Sequence, residues 1–259
     1  MEDITLQLLF VLTGVAAVAG FVDAIAGGGG LISIPVLLWT GMAPLEALAT
    51  NKLQASFGSF TATLNYHRHG LLDLSRLAPA IALTLVGAVA GTVAVHWLPD
   101  SLLAELVPVL LIAFALYFLL SPTPGDEDRH RRIHHRSFAL LVGTTVGFYD
   151  GFFGPGTGSF FTLAFLMLLG YGLPRAVAGA KLLNFTSNFA SLAAFALGGH
   201  VLWLVGLTMG VGQAAGAYIG SHMAVRHGAR LIRPLLVVTA VALSVKLLLE
   251  ETGSPTVAG

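Results

Sequence analysis

Residues 20–35 read GFVDAIAGGGGLISIP. An acidic residue, Asp23, stands in an apolar run that then breaks at Gly27, Gly28, Gly29 and Gly30. Each glycine inside a helix costs nearly 1 kcal/mol relative to alanine, so the run predicts an interrupted helix whose second arm begins at Leu31. Residues 147–159, GFYDGFFGPGTGS, pose the same problem again. There Asp150 precedes a second break, in which Gly156, Thr157, Gly158 and Ser159 replace the run of four glycines.

The recurrence marks a duplicated chain. GFVD at 20 matches GFYD at 147, an offset of 127 (147 − 20), and Lys52 matches Lys181, an offset of 129 (181 − 52). The second offset then holds: Gly87 and Gly91 of GAVAGT correspond to Gly216 and Gly220 of GAYIGS. Between the halves lies SPTPGDEDRHRRIHHR, 121–136, rich in proline and charge, which reads as a solvated linker.

Composition sets the environment. Of 259 residues 56% are apolar and only 10% charged, with a mean hydropathy of +0.84. Soluble domains carry roughly a quarter of their residues as charges, so this is the composition of a membrane-embedded chain. The clearest apolar runs are 77–97, 101–120, 178–198 and 201–224; shorter or interrupted ones are 4–26, 31–40, 43–66, 138–153, 158–170 and 234–249. The net charge is zero, which offers nothing to nucleic acid, and the absence of cysteine excludes disulfides and thiolate metal sites. MEDITLQ at the start lacks the basic region of a cleaved signal peptide and reads as mature protein. No cofactor or metal motif is present, and nothing sets an oligomeric state.

Basic residues near membrane ends favour the cytoplasm. Arg68 and Arg76 place the loop at 66–76 inside. Arg129, Arg131, Arg132 and Arg136 do so for the linker, and Arg226, Arg230 and Arg233 for 225–233, while WLPDS at 97–101 goes outside. Helix 43–66 then starts outside and its counterpart 173–198 starts inside. The expected fold is an all-α polytopic membrane protein built from two inverted-topology repeats. Each is a broken or re-entrant helical hairpin plus three transmembrane helices, about 8 helices in total. The whole chain, 1–259, is one integral membrane domain: repeat 1 at 1–120, the cytoplasmic linker at 121–136, and repeat 2 at 137–259, with both termini outside.

Three lysines occur, and two of them, Lys52 and Lys181, lie deep in apolar helices at equivalent positions. A lysine at the bilayer centre costs roughly 2.5–3.5 kcal/mol on insertion scales. Snorkelling or a structural ion pair would account for each singly; a cationic pair facing a central cavity accounts for both. Lys52, Ser56, Ser59 and Thr63 share one helix face, as do Lys181, Asn184, Asn188 and Ser191, which predicts two polar linings, with interhelical hydrogen bonding as the plainer reading. A helix that starts inside the membrane directs unpaired N–H groups and its positive dipole end into the break, where an anion can be held without side chains. Asp23 and Asp150 can relay protons, bind Na⁺, or pair with a lysine. The glycine ladders 87/91 and 212/216/220 read as packing faces. His67, His69, His130, His134 and His135 read as parts of solvated basic loops.

GFVDAIAGGGGLISIPVLLWTG…ATNK, followed by GFYDGFFGPGTGSFF…AGAKLLNFTSN, resembles the TSUP family, the TauE/SafE sulfite-exporter group, and within it the YfcA-like branch. The similarity covers nearly the whole chain. It implies a multi-pass carrier in the bacterial inner membrane for a small sulfur-containing anion, such as sulfite, sulfoacetate or another organosulfonate. It carries over the two glycine breaks, Asn51 with Lys52, and Lys181 with Asn184 and Asn188 as substrate-binding positions; whether H⁺ or Na⁺ couples transport, at Asp23 or Asp150, stays open.

Two other functions compete. A passive anion channel would use the same charges. An intramembrane hydrolase or phosphatase would need a general base and an arginine cluster, yet the intramembrane acids are Asp23 and Asp150, with Glu46 and Glu105 near helix ends, and every arginine sits in a loop or at a helix end. The residues favour a carrier, with no catalytic residue assigned.

Overall fold

The computed structural model describes residues 5–99, 101–103, 105, 106, 109 and 132–227. Most of the predicted helix 101–120, all of 234–249, most of the linker, Arg129, His130, Arg131, Arg230, Arg233 and both chain ends lie outside the described residues.

Nine α-helices and one π-helical turn occur among the described residues. The first half contains α1 (Leu6–Ala26), α2 (Gly29–Trp39), α3 (Pro44–Arg68) and α4 (Leu74–His96). The second contains α5 (His135–Phe138), a π turn (Ala139–Gly143), α6 (Thr144–Phe152), α7 (Thr157–Leu168), α8 (Leu173–Leu197) and α9 (Trp203–His227). The last two residues of the predicted linker thus already belong to a helix. At 1.5 Å per residue, α1, α3, α4, α8 and α9 are long enough for a hydrocarbon core of about 30 Å, whereas α2 and α7 reach about halfway. Helices α1 and α4 are also strongly apolar along their length. The outer surface is hydrocarbon: Phe10, Val18, Val86, Phe189 and Val211 are each exposed.

The break after α1 is shorter than its glycines suggest. Gly27 takes the left-handed conformation at φ 82° and Gly28 caps the next helix, but Gly29 and Gly30 are already helical. Glycine's poor propensity is overridden there by a tertiary contact. The Gly29 N–H donates to Asp23 Oδ1 at 3.2 Å, and a Cβ on Gly29 would lie 2.7 Å from the Asp23 Cβ. In the second half Gly156 caps α7 at φ 79°.

Breaking a helix in the membrane frees carbonyls that need donors. At the end of α1, Tyr66 Oη donates to the Ala24 carbonyl at 2.8 Å, and Ser159 Oγ donates to that of Ala26. At the end of α6, Thr92 Oγ1 donates to the Gly151 carbonyl at 3.1 Å and Lys52 Nζ to that of Asp150. Side chains from other helices thus replace the missing turns.

Glycine ladders set the helix pairs. A Cβ on Gly216 or Gly220 of α9 would strike the carbonyl of Ala17 or Phe21 on α1. A Cβ on Gly87 or Gly91 of α4 would strike that of Thr144 or Phe148 on α6. Residues 17 and 21 become 144 and 148 by the offset of 127, so the two contacts repeat each other residue for residue. Helices α3 and α8 cross antiparallel. Leu45 and Leu48 share a core with Phe195 at one end, Ala62 and Tyr66 share one with Leu173 and Val177 at the other, and the Phe60 and Phe185 rings meet between, 5.2 Å apart.

Candidate functional site

The two breaks face each other in the middle of the helical assembly. A Cβ on Gly158 would lie 2.7 Å from Gly27 Cα, so the two interruptions touch backbone to backbone. Glycine is required by this approach, since any side chain would wedge the halves apart.

Two buried ion pairs flank the contact, and each joins the halves. Lys52 Nζ of α3 lies 2.6 Å from Asp150 Oδ1 at the end of α6. Lys181 Nζ of α8 lies 2.8 Å from Asp23 Oδ2 at the end of α1. The pairs exchange under the sequence offsets, 52 to 181 and 23 to 150. Gly154 lets Lys52 close in and Gly158 lets Lys181 do so, because a Cβ would fall 2.7 Å and 2.9 Å from the respective Nζ atoms.

The pairs differ in their remaining bonds. Asp150 also accepts from Thr157 Oγ1 at 3.0 Å, Asn184 Nδ2 at 3.4 Å and Ser187 Oγ. The Asp23 carboxylate accepts, besides Lys181, only the Gly29 N–H among the described residues. With lysines charged and aspartates ionised, the four groups sum to zero, so an anion entering here competes with a carboxylate for its lysine.

Between them lies a cavity of about 20 Å³, room for a single water. Of the predicted site residues, Gly27, Gly30, Asn51, Gly156, Thr157, Gly158, Asn184 and Asn188 line it, together with Asp23 and Asp150. Gly28, Gly29, Lys52, Ser159 and Lys181 stand behind this wall. The hydroxyls of the predicted stripes mostly fold back on their own helices: Ser56 donates to the Lys52 carbonyl and Ser59 to that of Ala55. Asn51 Oδ1 is taken by Ser33 Oγ at 2.6 Å and Gln54 Nε2 at 2.9 Å, which fixes its amide.

The amides of Gly30 and Gly158, second in their helices, find no acceptor among the described residues. Both glycines line the cavity. Two half-helix N-termini therefore bring unpaired donors and positive dipole ends to one small space. Three lining residues were not expected from sequence: Ala55, Gly154 and Gln213. Gln213 could have been noticed as the one amide in the apolar run 201–224, and Gly154 as the first glycine of GPGTGS; Ala55 carries no such signal. Ser187 also escaped notice, lying one residue off the stripe of Lys181, Asn184 and Asn188. Groups of three or more histidines or carboxylates able to hold a metal do not occur among the described residues.

The family model described as "Sulfite exporter TauE/SafE" matches residues 12–247. The chain belongs to the TauE/SafE family. Over 246 residues it is 50% identical to a probable membrane transporter protein, YfcA, of Escherichia coli K12, covering 95% of this chain and 91% of that one. A probable membrane transporter protein from a Sinorhizobium species is 48% identical over 252 residues, covering 97% of each chain. One from Haemophilus influenzae is 46% identical over 249 residues, covering 96% of this chain and 98% of the other. No solved structure matches. This TauE/SafE chain is thus a membrane protein of a transporter family, and its relatives carry transporter rather than enzyme names.

Proposed function

We propose that this TauE/SafE chain is a multi-pass secondary carrier of the bacterial inner membrane that moves a small anion, a sulfur oxyanion or organosulfonate, by alternating access. One observation carries the reading: the N-termini of two half-helices converge on a single cavity, with unpaired Gly30 and Gly158 amides, and a lysine behind each wall. Backbone donors at helix N-termini bind anions without further help, and the midplane between repeats is where secondary carriers place their sites.

In this reading the two halves are inverted repeats. The antiparallel crossing of α3 and α8 supports that, as does the exchange of contacts between the α1–α9 and α4–α6 pairs. The linker and the loop at 66–76 are then cytoplasmic and both termini outside. The anion is held by Lys52, Lys181, Asn51, Asn184, Asn188 and the residues of the two breaks, Gly27 to Gly30 and Gly156 to Ser159. It enters by drawing a lysine from its aspartate, and Asp23 and Asp150 receive that lysine again on release. The cavity has room for about one water and not for a sulfur oxyanion with its several heavy atoms. The breaks therefore separate to load and close again between loadings, which fits a carrier better than an open channel. H⁺ or Na⁺ as the coupling ion would act at the aspartates.

The test is a thermal-shift screen of the detergent-purified protein against sulfite, sulfate, thiosulfate, sulfoacetate and chloride. A ligand that binds only the native state raises its melting temperature. We expect a sulfur anion to do so, and the shift to vanish in the double variant Lys52→Ala/Lys181→Ala. No shift with any anion, or an equal shift in the double variant, defeats the reading.

A further inference from the structure

Helix α9 brings one side chain to the cavity, that of Gln213. It is buried, 1% exposed, and its Oε1 has no hydrogen-bond partner among the described residues. The surrounding helices make room for it. A Cβ on Gly58 of α3 would lie 2.5 Å from Gln213 Cγ and 3.2 Å from Nε2, and a Cβ on Gly20 of α1 would meet the Gln213 carbonyl. The rest of the buried face of α9 around it, such as Met209, Gly210, Gly216 and Ala217, is apolar or glycine. A buried amide oxygen without a donor among such neighbours is costly, and it is kept where something else completes its bonds.

The offset of 129 makes the point sharper. Position 213 corresponds to Thr84 on α4 (213 − 129), and the contacts agree, since Gly147 lies against the Thr84 carbonyl as Gly20 does against that of Gln213. The Thr84 hydroxyl also lacks a partner, but Thr84 does not line the cavity. A carboxamide therefore reaches the site from one side only of an otherwise doubled arrangement.

We propose that Gln213 is a direct ligand of the transported anion and sets its preference for polyatomic oxyanions over monatomic halides. The inference rests on the anion reading above. The helix N-termini face the cavity from the two breaks, the lysines of α3 and α8 stand behind its wall, and Gln213 faces it from α9. An anion of several oxygens bridges these groups at once, whereas a single halide ion cannot. Nε2 of the carboxamide donates to an oxygen of the anion, and the unpartnered Oε1 accepts from it only where the oxyanion is protonated or bears a hydroxyl.

The test compares wild type with Gln213→Leu, Thr84→Val and Lys52→Ala/Lys181→Ala, each titrated with sulfite, sulfate and chloride while melting is followed. Gln213→Leu should weaken Kd for the stabilising oxyanion about 10- to 100-fold, the worth of one hydrogen bond to a charged group. It should leave any chloride response unchanged and the ligand-free melting temperature equal or higher. Thr84→Val should bind within about twofold of wild type, being isosteric and away from the cavity. Wild-type oxyanion affinity in Gln213→Leu, with binding lost in the lysine variant, overturns the role of Gln213 while the anion reading stands. Wild-type binding in the lysine variant as well overturns both.

Discussion

Lys52–Asp150 and Lys181–Asp23 occupy matching places in the two halves, yet they are built differently. Asp150 is surrounded by donors from α3, α7 and α8, and its partner also holds the Asp150 backbone carbonyl. Asp23 has its lysine and one amide among the described residues. The first pair is a clasp fastening α3 to the end of α6. The second is held loosely at the mouth of the first break. Each half supplies one aspartate and one lysine, and the neighbouring side chains give the two pairs different settings.

Removing one partner of a buried pair leaves an uncompensated charge and costs roughly 3–5 kcal/mol. Asp150→Asn should fall at the top of that range, because Lys52 has no second carboxylate among the described residues and an amide NH2 would replace one of the oxygens that accept from donors on α3, α7 and α8. Asp23→Asn should cost less, since its amide oxygen still accepts from Gly29. Melting of the two variants in detergent sharpens the comparison, and equal losses, or a larger loss in Asp23→Asn, would break it.

A smaller difference is expected within the first break. A Cβ on Gly29 collides with the Asp23 side chain at 2.7 Å and the Ala19 carbonyl at 2.9 Å, whereas one on Gly28 meets only Leu31 Cδ1 at 3.9 Å. Gly29→Ala should therefore destabilise by about 1–3 kcal/mol, the usual penalty for overpacking, by pushing α2 off the loose pair. Gly28→Ala should lie within about 0.5 kcal/mol of wild type. Melting of this pair of variants checks whether the aspartate contact, rather than the break itself, selects glycine here.

Much of this site was legible in the sequence for a simple reason: charge and glycine are expensive inside apolar helices, so Asp23, Asp150, the lysines and both breaks stand out. Their pairing was not legible, because neighbours along the chain do not reveal that Lys52 crosses to the opposite half. The start of α2 was misplaced by two residues, since helix propensity cannot register a cap supplied by a side chain six positions back. Gln213 was passed over because its counterpart, Thr84, is not an amide, and a search for doubled features discards what occurs once. The polar stripes were visible, but their hydroxyls satisfy their own helix carbonyls, which periodicity cannot distinguish from lining a cavity.

The most direct measurement is flux. Protein reconstituted in liposomes, with an imposed gradient of the anion that stabilises it, should carry that anion at a rate that saturates with concentration. The double variant Lys52→Ala/Lys181→Ala, reconstituted to the same level and folded, should carry none. Saturable transport of the same anion at the wild-type rate by that variant would contradict the account.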